Sequence, residues 1–115
     1  MSQTLSLRVA QEFSITPGAR YEFEGKFPGE DFRDNHLYPK LVKAIESDKV
    51  LVVDLDGTAG YGTSFLEESF GGLIRERGLS LEEINSHMNL ISKEEPYLIE
   101  DINEYLQEAA MEAVK

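Results

Sequence analysis

Val50-Leu51-Val52-Val53-Asp54-Leu55-Asp56-Gly57-Thr58-Ala59-Gly60-Tyr61-Gly62 is the stretch that decides how this chain folds. Its first six residues form a short, unbroken, β-branched run, the pattern of a strand covered on both faces by helices. Three glycines among the next seven residues make a turn. Ser64-Phe65-Leu66-Glu67 then matches the S-x-x-E capping box that opens a helix. Leu66, Phe70, Leu73 and Ile74 continue its apolar face, and Gly78 is a natural stop.

Working outward, Leu5, Leu7 and Val9 alternate with Ser6 and Arg8, the period of a half-buried strand. Arg20–Phe23 is a second short strand candidate, and Pro17-Gly18 between the two reads as a hairpin turn. From Glu30 to Ser47, Phe32, Leu37, Leu41, Ala44 and Ile45 fall at helical spacing, with Pro39 expected to kink the helix or split it in two. Ser80-Leu81-Glu82-Glu83 is another capping-box match, and Met88–Ser92 reads as a final strand. Pro96 suits the first turn of a terminal helix whose stripe is Leu98, Ile99, Ile102, Tyr105, Leu106, Ala109, Ala110 and Ala113. This order predicts a small α/β sandwich, a mixed β-sheet with helices packed on it, in a single domain over residues 1–115.

Composition narrows the function. The chain has 115 residues and a formal net charge of -11, which repels nucleic-acid phosphates and anionic lipid surfaces. There are no cysteines, so thiolate catalysis and Cys-based zinc sites are excluded and a reducing compartment is favoured. His36 and His87 have no ligand-spaced partner, so packing or surface roles are expected, with no metal and no cofactor. Met1–Leu7 lacks a basic region followed by an apolar stretch, and no apolar run approaches the ~20 residues that span a bilayer. The expectation is a full-length, soluble, cytoplasmic protein that is never exported. From Lys93 to Lys115 there are seven acidic and two basic residues, so the last helix carries a negative outer face. That face serves solubility or docks on a basic partner.

Val52-Val53-Asp54-Leu55-Asp56-Gly57-Thr58 also matches the nucleophile motif of haloacid-dehalogenase-like phosphatases, in which the first aspartate attacks phosphorus and the second is the general acid. That chemistry needs a basic residue and further carboxylates that hold Mg²⁺. Here no GDxxxD-like sequence follows and no lysine lies between Lys49 and Lys93. The phosphatase reading on Asp54 and Asp56 therefore ranks last, and the two aspartates are expected to fix the turn.

Read further, the chain resembles the bacterial STAS-like domain family of unknown function, distant relatives of the anti-sigma factor antagonists. The resemblance rests on segments in matching order: Thr16-Pro17-Gly18, Gly29-Glu30-Asp31-Phe32-Arg33, Asp54-Leu55-Asp56-Gly57, Ser64-Phe65-Leu66-Glu67-Glu68 and Phe70-Gly71-Gly72. It implies a non-enzymatic regulatory or signalling module that binds a protein partner, such as a histidine-kinase-like ATPase. In the antagonists that partner phosphorylates a serine in the turn after the central strand. The corresponding position is Thr63, followed by Ser64, while Gly62 and Phe65 replace the aspartate and glycine around it.

The resemblance thus implies a phosphosite at Thr63 or Ser64. It also implies a partner surface of Asp56, Gly57, Tyr61, Thr63, Ser64, Phe65 and Glu68, with Tyr61 and Phe65 as exposed anchors. The plainer expectations are that Ser64 is an N-cap paired with Glu67, Thr63 a turn residue, and Tyr61 and Phe65 a staple over the turn. Gly71-Gly72 is expected to allow close helix–sheet packing or a flat surface for a partner. Two other functions stay open: an acidic inhibitor occupying a basic site on another protein, and a small-ligand-binding domain.

Overall fold

The computed structural model describes residues 3–13 and 28–113. Strand β1 (Thr4–Arg8) leads into the single helical turn α1 (Val9–Glu12). Helix α2 is a continuous run, Pro28–Phe32, a π-helical segment Arg33–Leu37, and Tyr38–Glu46. Strand β2 (Val50–Asp54) follows, then helix α3, again in three pieces: Thr63–Leu66, a π-helical segment Glu67–Gly71, and Gly72–Arg75. Helix α4 (Leu81–His87) runs into strand β3 (Met88–Ile91), and helix α5 (Tyr97–Ala113) ends the described chain.

The three strands form one sheet in the order β1-β2-β3, with both pairs parallel. Register places Leu5, Leu51 and Met88 in one cross-strand row and Leu7, Val53 and Leu90 in the next. The expected α/β arrangement of helices packed on a sheet is therefore what forms. The hairpin at Pro17-Gly18 and Arg20–Phe23, which would have made the sheet mixed, lies outside the described residues; the strands described are all parallel. Strand β1 stops one residue short of the alternating pattern, because Val9 already begins α1.

Strand β2 takes the centre and has the longest unbroken apolar run of the three strands. Leu51, Val53 and, just beyond, Leu55 are buried, whereas Val50 and Val52 are half-buried. The strand is thus fully covered on one face, not on both as its unbroken apolar run suggests. Phe32, Leu37, Leu41 and Ala44 of α2, Phe65, Leu66, Phe70, Leu73 and Ile74 of α3, Ile84 of α4, and Leu98, Ile102, Leu106 and Ala109 of α5 complete one core.

Pro39 does not split α2. The turn before it widens instead: the Tyr38 N–H donates to the Arg33 carbonyl five residues back. Proline has no N–H to give and its ring crowds the carbonyl four residues earlier, so a wider turn spares both conflicts. The Ser80 capping box forms as expected, with Ser80 Oγ accepting from the Glu83 N–H at 3.0 Å and Glu83 Oε1 accepting from the Ser80 N–H at 3.0 Å. Gly78 closes the helix before it at φ 72°, its N–H donating to the Ile74 carbonyl and the Leu79 N–H to the Leu73 carbonyl. Among the described residues no helix is long and apolar enough to cross a membrane.

Ile102 is fully buried where α5 meets the rest of the core. Ile102→Ala should lower the unfolding free energy by about 2–5 kcal/mol, measured by urea denaturation, with the folded circular dichroism spectrum unchanged.

Candidate functional site

The loop after β2 is held from inside. Leu55 extends the ladder by donating its N–H to the Ile91 carbonyl at 2.8 Å. Asp54 Oδ1 accepts from the Asp56 N–H at 3.0 Å, a side chain turning its own backbone. Both oxygens of Asp56 then reach the loop after β3, Oδ2 accepting from the Lys93 N–H at 3.1 Å and Oδ1 from the Glu94 N–H at 3.0 Å. Glu94 returns the contact, its Oε1 accepting from the Gly57 N–H at 2.9 Å. Gly57 sits at φ 92°, a conformation that L side chains rarely adopt. The half-buried Tyr61 donates its hydroxyl to the Leu55 carbonyl at 2.8 Å. Burial pushes its phenol well above the ordinary range, and the charges of Asp54, Asp56 and Glu95 add to this. The two aspartates of the DLDGT string therefore serve the backbone, Asp54 by turning its own loop and Asp56 by tying that loop to the one that leaves β3.

Thr63 and Ser64 emerge exposed from this anchored loop. The N-cap of α3 is Gly62, at φ -79° and ψ 148°, and no side chain caps the helix. Ser64 therefore lies inside the first turn and is not the expected N-cap. Its intended partner Glu67 is taken by Arg75, which donates Nη1 to Oε2 at 2.6 Å and Nη2 to Oε1 at 3.0 Å. A two-pronged guanidinium–carboxylate contact outcompetes a single amide bond for that carboxylate. Thr63 faces the phenol of Tyr105 on α5. That phenol is pushed up by burial first and by Asp101, Glu104 and Glu108 thereafter.

Phe65 corrects the sequence reading. At 5% exposure it is a core residue, with ring centroids 5.5 Å from Phe32, 5.9 Å from Phe13 and 5.9 Å from Tyr61. It points inward because it occupies the third position of α3, on the side packed against α2. Phe65 is thus no exposed anchor; the Tyr61 ring lies over it, tilted by 36°, as a staple. His36 joins the same aromatic group, stacked on Phe32 and edge-on to Phe13, while His87 Nδ1 lies 2.8 Å from the Lys49 carbonyl.

Below this group the π segments of α2 and α3 meet at Arg33, which is only 4% exposed. Its Nε donates to Asp34 Oδ1 at 2.8 Å and its Nη2 to Asp34 Oδ2 at 3.3 Å. Its Nη1 reaches across to the Glu68 carbonyl at 3.1 Å and to Glu68 Oε2 at 3.2 Å. Arg75 holds the same Glu68 carboxylate at 3.3 Å, and Arg77 holds Asp34 at 3.1 Å while lying over the Tyr38 ring.

The same network accounts for the Gly71-Gly72 pair. A Cβ on Gly72 would collide with the Arg33 guanidinium, and one on Gly71 would stand 2.6 Å from Glu67 Oε2. The glycines make room for a helix–helix charge network, and neither for the sheet nor for an open surface; both are buried. Gly29 likewise lets α2 approach α3, with Ser69 Oγ donating to its carbonyl at 3.2 Å. Glu68, expected on the partner surface, has its carboxylate engaged in this network.

The fold and the anchored loop after its central strand define a class of small α/β domain with helices on a parallel sheet. The chain belongs to the STAS-like domain family of unknown function, which matches residues 29–98. Neither the curated proteins nor the solved structures contain a match. The matched span opens at Gly29 and so takes in the Arg33 network and the DLDG loop together. Of two residues important to this geometry, Arg33 is marked in the sequence only as the end of the Gly29–Arg33 segment, with no role, and Glu94 is not marked at all. Arg33 stands among Glu30, Asp31 and Asp34, a charged local pattern that does not signal burial.

Gly72→Ala should push Arg33 off its partners and cost about 3 kcal/mol of stability, read from urea unfolding, as expected when a buried ion pair is broken. A pH test follows from Asp34, whose carboxyl is held below its ordinary value of 3.8 by the Arg33 hydrogen bond, with burial opposing and Arg77 assisting. A depressed folded value means that its contribution is present above the unfolded value and is lost as pH falls through the folded one. Unfolding free energy measured below pH 4 should therefore drop, and Asp34→Asn should flatten that drop.

Proposed function

We propose that this domain is a non-enzymatic regulatory module that docks a protein partner through the loop and first helical turn after β2. One observation carries the reading: two adjacent exposed hydroxyls, Thr63 and Ser64, stand at the end of a loop held by five hydrogen bonds that involve Asp54, Asp56, Glu94 and Tyr61. A loop ordered before binding loses little entropy on docking, which favours recognition of its shape. Asp56 and Tyr61 act by holding that shape; Gly57, Thr63 and Ser64 supply exposed surface; Phe65 acts only from beneath. Membership of a STAS-like family supports a regulatory role over a catalytic one, and a histidine-kinase-like ATPase is the partner class its distant relatives suggest. A phosphoryl group on Thr63 or Ser64 would add about -1.5 to -2 charge at the uncapped start of α3 and change what that surface accepts.

The test is affinity purification of the tagged protein from its native cells, comparing the wild type with Thr63→Glu and Ser64→Glu. The expected result is a stoichiometric protein partner whose recovery falls at least about tenfold in one variant, with phosphate on the wild-type peptide 50–75. Equal recovery by all three proteins would place the binding surface elsewhere.

A second reading draws on α5. Glu100, Glu104, Glu108 and Glu112 are all exposed at four-residue steps, and Tyr97–Ala113 contains no basic residue. An acidic inhibitor would use this face against a basic site. Its complex should weaken steeply between low and high salt, and Glu104→Gln with Glu108→Gln should weaken it further, whereas docking at Thr63 should respond little to either.

A further inference from the structure

Asp56-Gly57 is a reactive dipeptide in ordinary peptide chemistry. The Gly57 nitrogen can attack the Asp56 side-chain carbon, forming a C–N bond and a five-membered succinimide while the displaced carboxyl oxygen leaves as water. Water then opens the ring at either carbonyl. One opening restores aspartate. The other leaves isoaspartate, whose main chain runs through the side-chain methylene and is one carbon longer, with no net change in composition. Glycine is the most permissive following residue because no Cβ shields its nitrogen.

Burial does not protect this pair. Gly57 and Glu94 are exposed and Asp56 is half-buried, so water and solvent base have access. What the fold does is engage each reactant with another partner. The Gly57 N–H is engaged by Glu94 Oε1 at 2.9 Å. The Asp56 carboxylate is turned to the opposite loop, where the amides of Lys93 and Glu94 occupy its two oxygens at 3.1 and 3.0 Å. Glu94 therefore grips both partners of the reaction, the carboxylate through its backbone and the nucleophilic nitrogen through its side chain.

We infer that Asp56-Gly57 is a latent site of isoaspartate formation, kept unreactive in the folded domain by Glu94. Reaction then requires the loop after β3 to swing away from the loop after β2, and its rate follows the fraction of time spent open. The inference is independent of any partner. Its consequence is local: an extra backbone carbon at residue 56 would break the register of the loop that leads to Thr63.

The experiment incubates purified protein at neutral pH and physiological temperature and quantifies isoaspartate in the tryptic peptide 50–75 by chromatography and electron-transfer fragmentation. Folded wild type should accumulate it far more slowly than wild type unfolded in urea. Removing the side-chain acceptor in Glu94→Ala should raise the folded-state rate about tenfold, the opening expected from one lost hydrogen bond to a charged group. Glu94→Gln keeps an acceptor oxygen and should stay near wild type. Circular dichroism checks that each variant is folded. Equal rates for folded and unfolded wild type would overturn the inference without any variant, as would a folded Glu94→Ala that reacts no faster than wild type.

Discussion

Arg33 has to keep its charge inside the protein, and that requirement shapes both helices that meet around it. A buried guanidinium is tolerated only when its donors are matched. Asp34 supplies one fork from the same helix, and the carboxylate and carbonyl of Glu68 supply acceptors from the other. For the cation to fit between the helices, α3 must present bare backbone at Gly72, and Gly71 beside it leaves room for the Glu67–Arg75 pair, so two glycines stand where a helix would ordinarily avoid them. Both helices widen into π segments at this crossing, Arg33–Leu37 and Glu67–Gly71, and the departures from regular geometry face each other. No buried side-chain nitrogen or oxygen among the described residues is left without a partner.

This crossing also sets where the functional loop ends. Helix α3 runs from Thr63 at the loop to the Glu68 contact within two turns, so fixing Glu68 fixes the position of the exposed hydroxyls. At the other end, Asp56 and Glu94 lash the loop to the one that follows β3. The surface offered to solvent is thus held from two sides, by a charge network under the helix and by backbone-directed carboxylates under the turn. Phe65 fills the space between them and ties Tyr61 above to Phe32 below.

Features that depend on local pattern were legible in the sequence. The Val50–Asp54 strand, the Ser80 box, the Gly78 stop and the stripe of the last helix all involve partners within a few residues or a simple period. Errors came where a distant residue won a competition. Glu67 matches a capping box with Ser64 three residues away, yet Arg75 eight residues on takes it. Phe65 borders a glycine-rich loop and looks exposed, yet its ring closes against Phe32 and Phe13, far away in the chain. Asp56 looks catalytic beside Asp54, yet its partners are the amides of residues 93 and 94. Backbone amides carry no residue identity, so such a partnership leaves no mark on the sequence.

The parallel sheet has a kinetic side. β1 pairs with β2 from Thr4 opposite Val50, and β2 with β3 from Leu51 opposite Met88. None of these ladders can start from a tight turn; each waits on the closure of a long loop with a helix inside it. Folding should therefore be slow for so small a chain, with helices α2 and α3 flickering into place before any strand finds its neighbour. During that wait β2, the most apolar segment, stands with both edges unpaired. The same strand that gives the finished domain its centre is then the part most open to pairing with another copy.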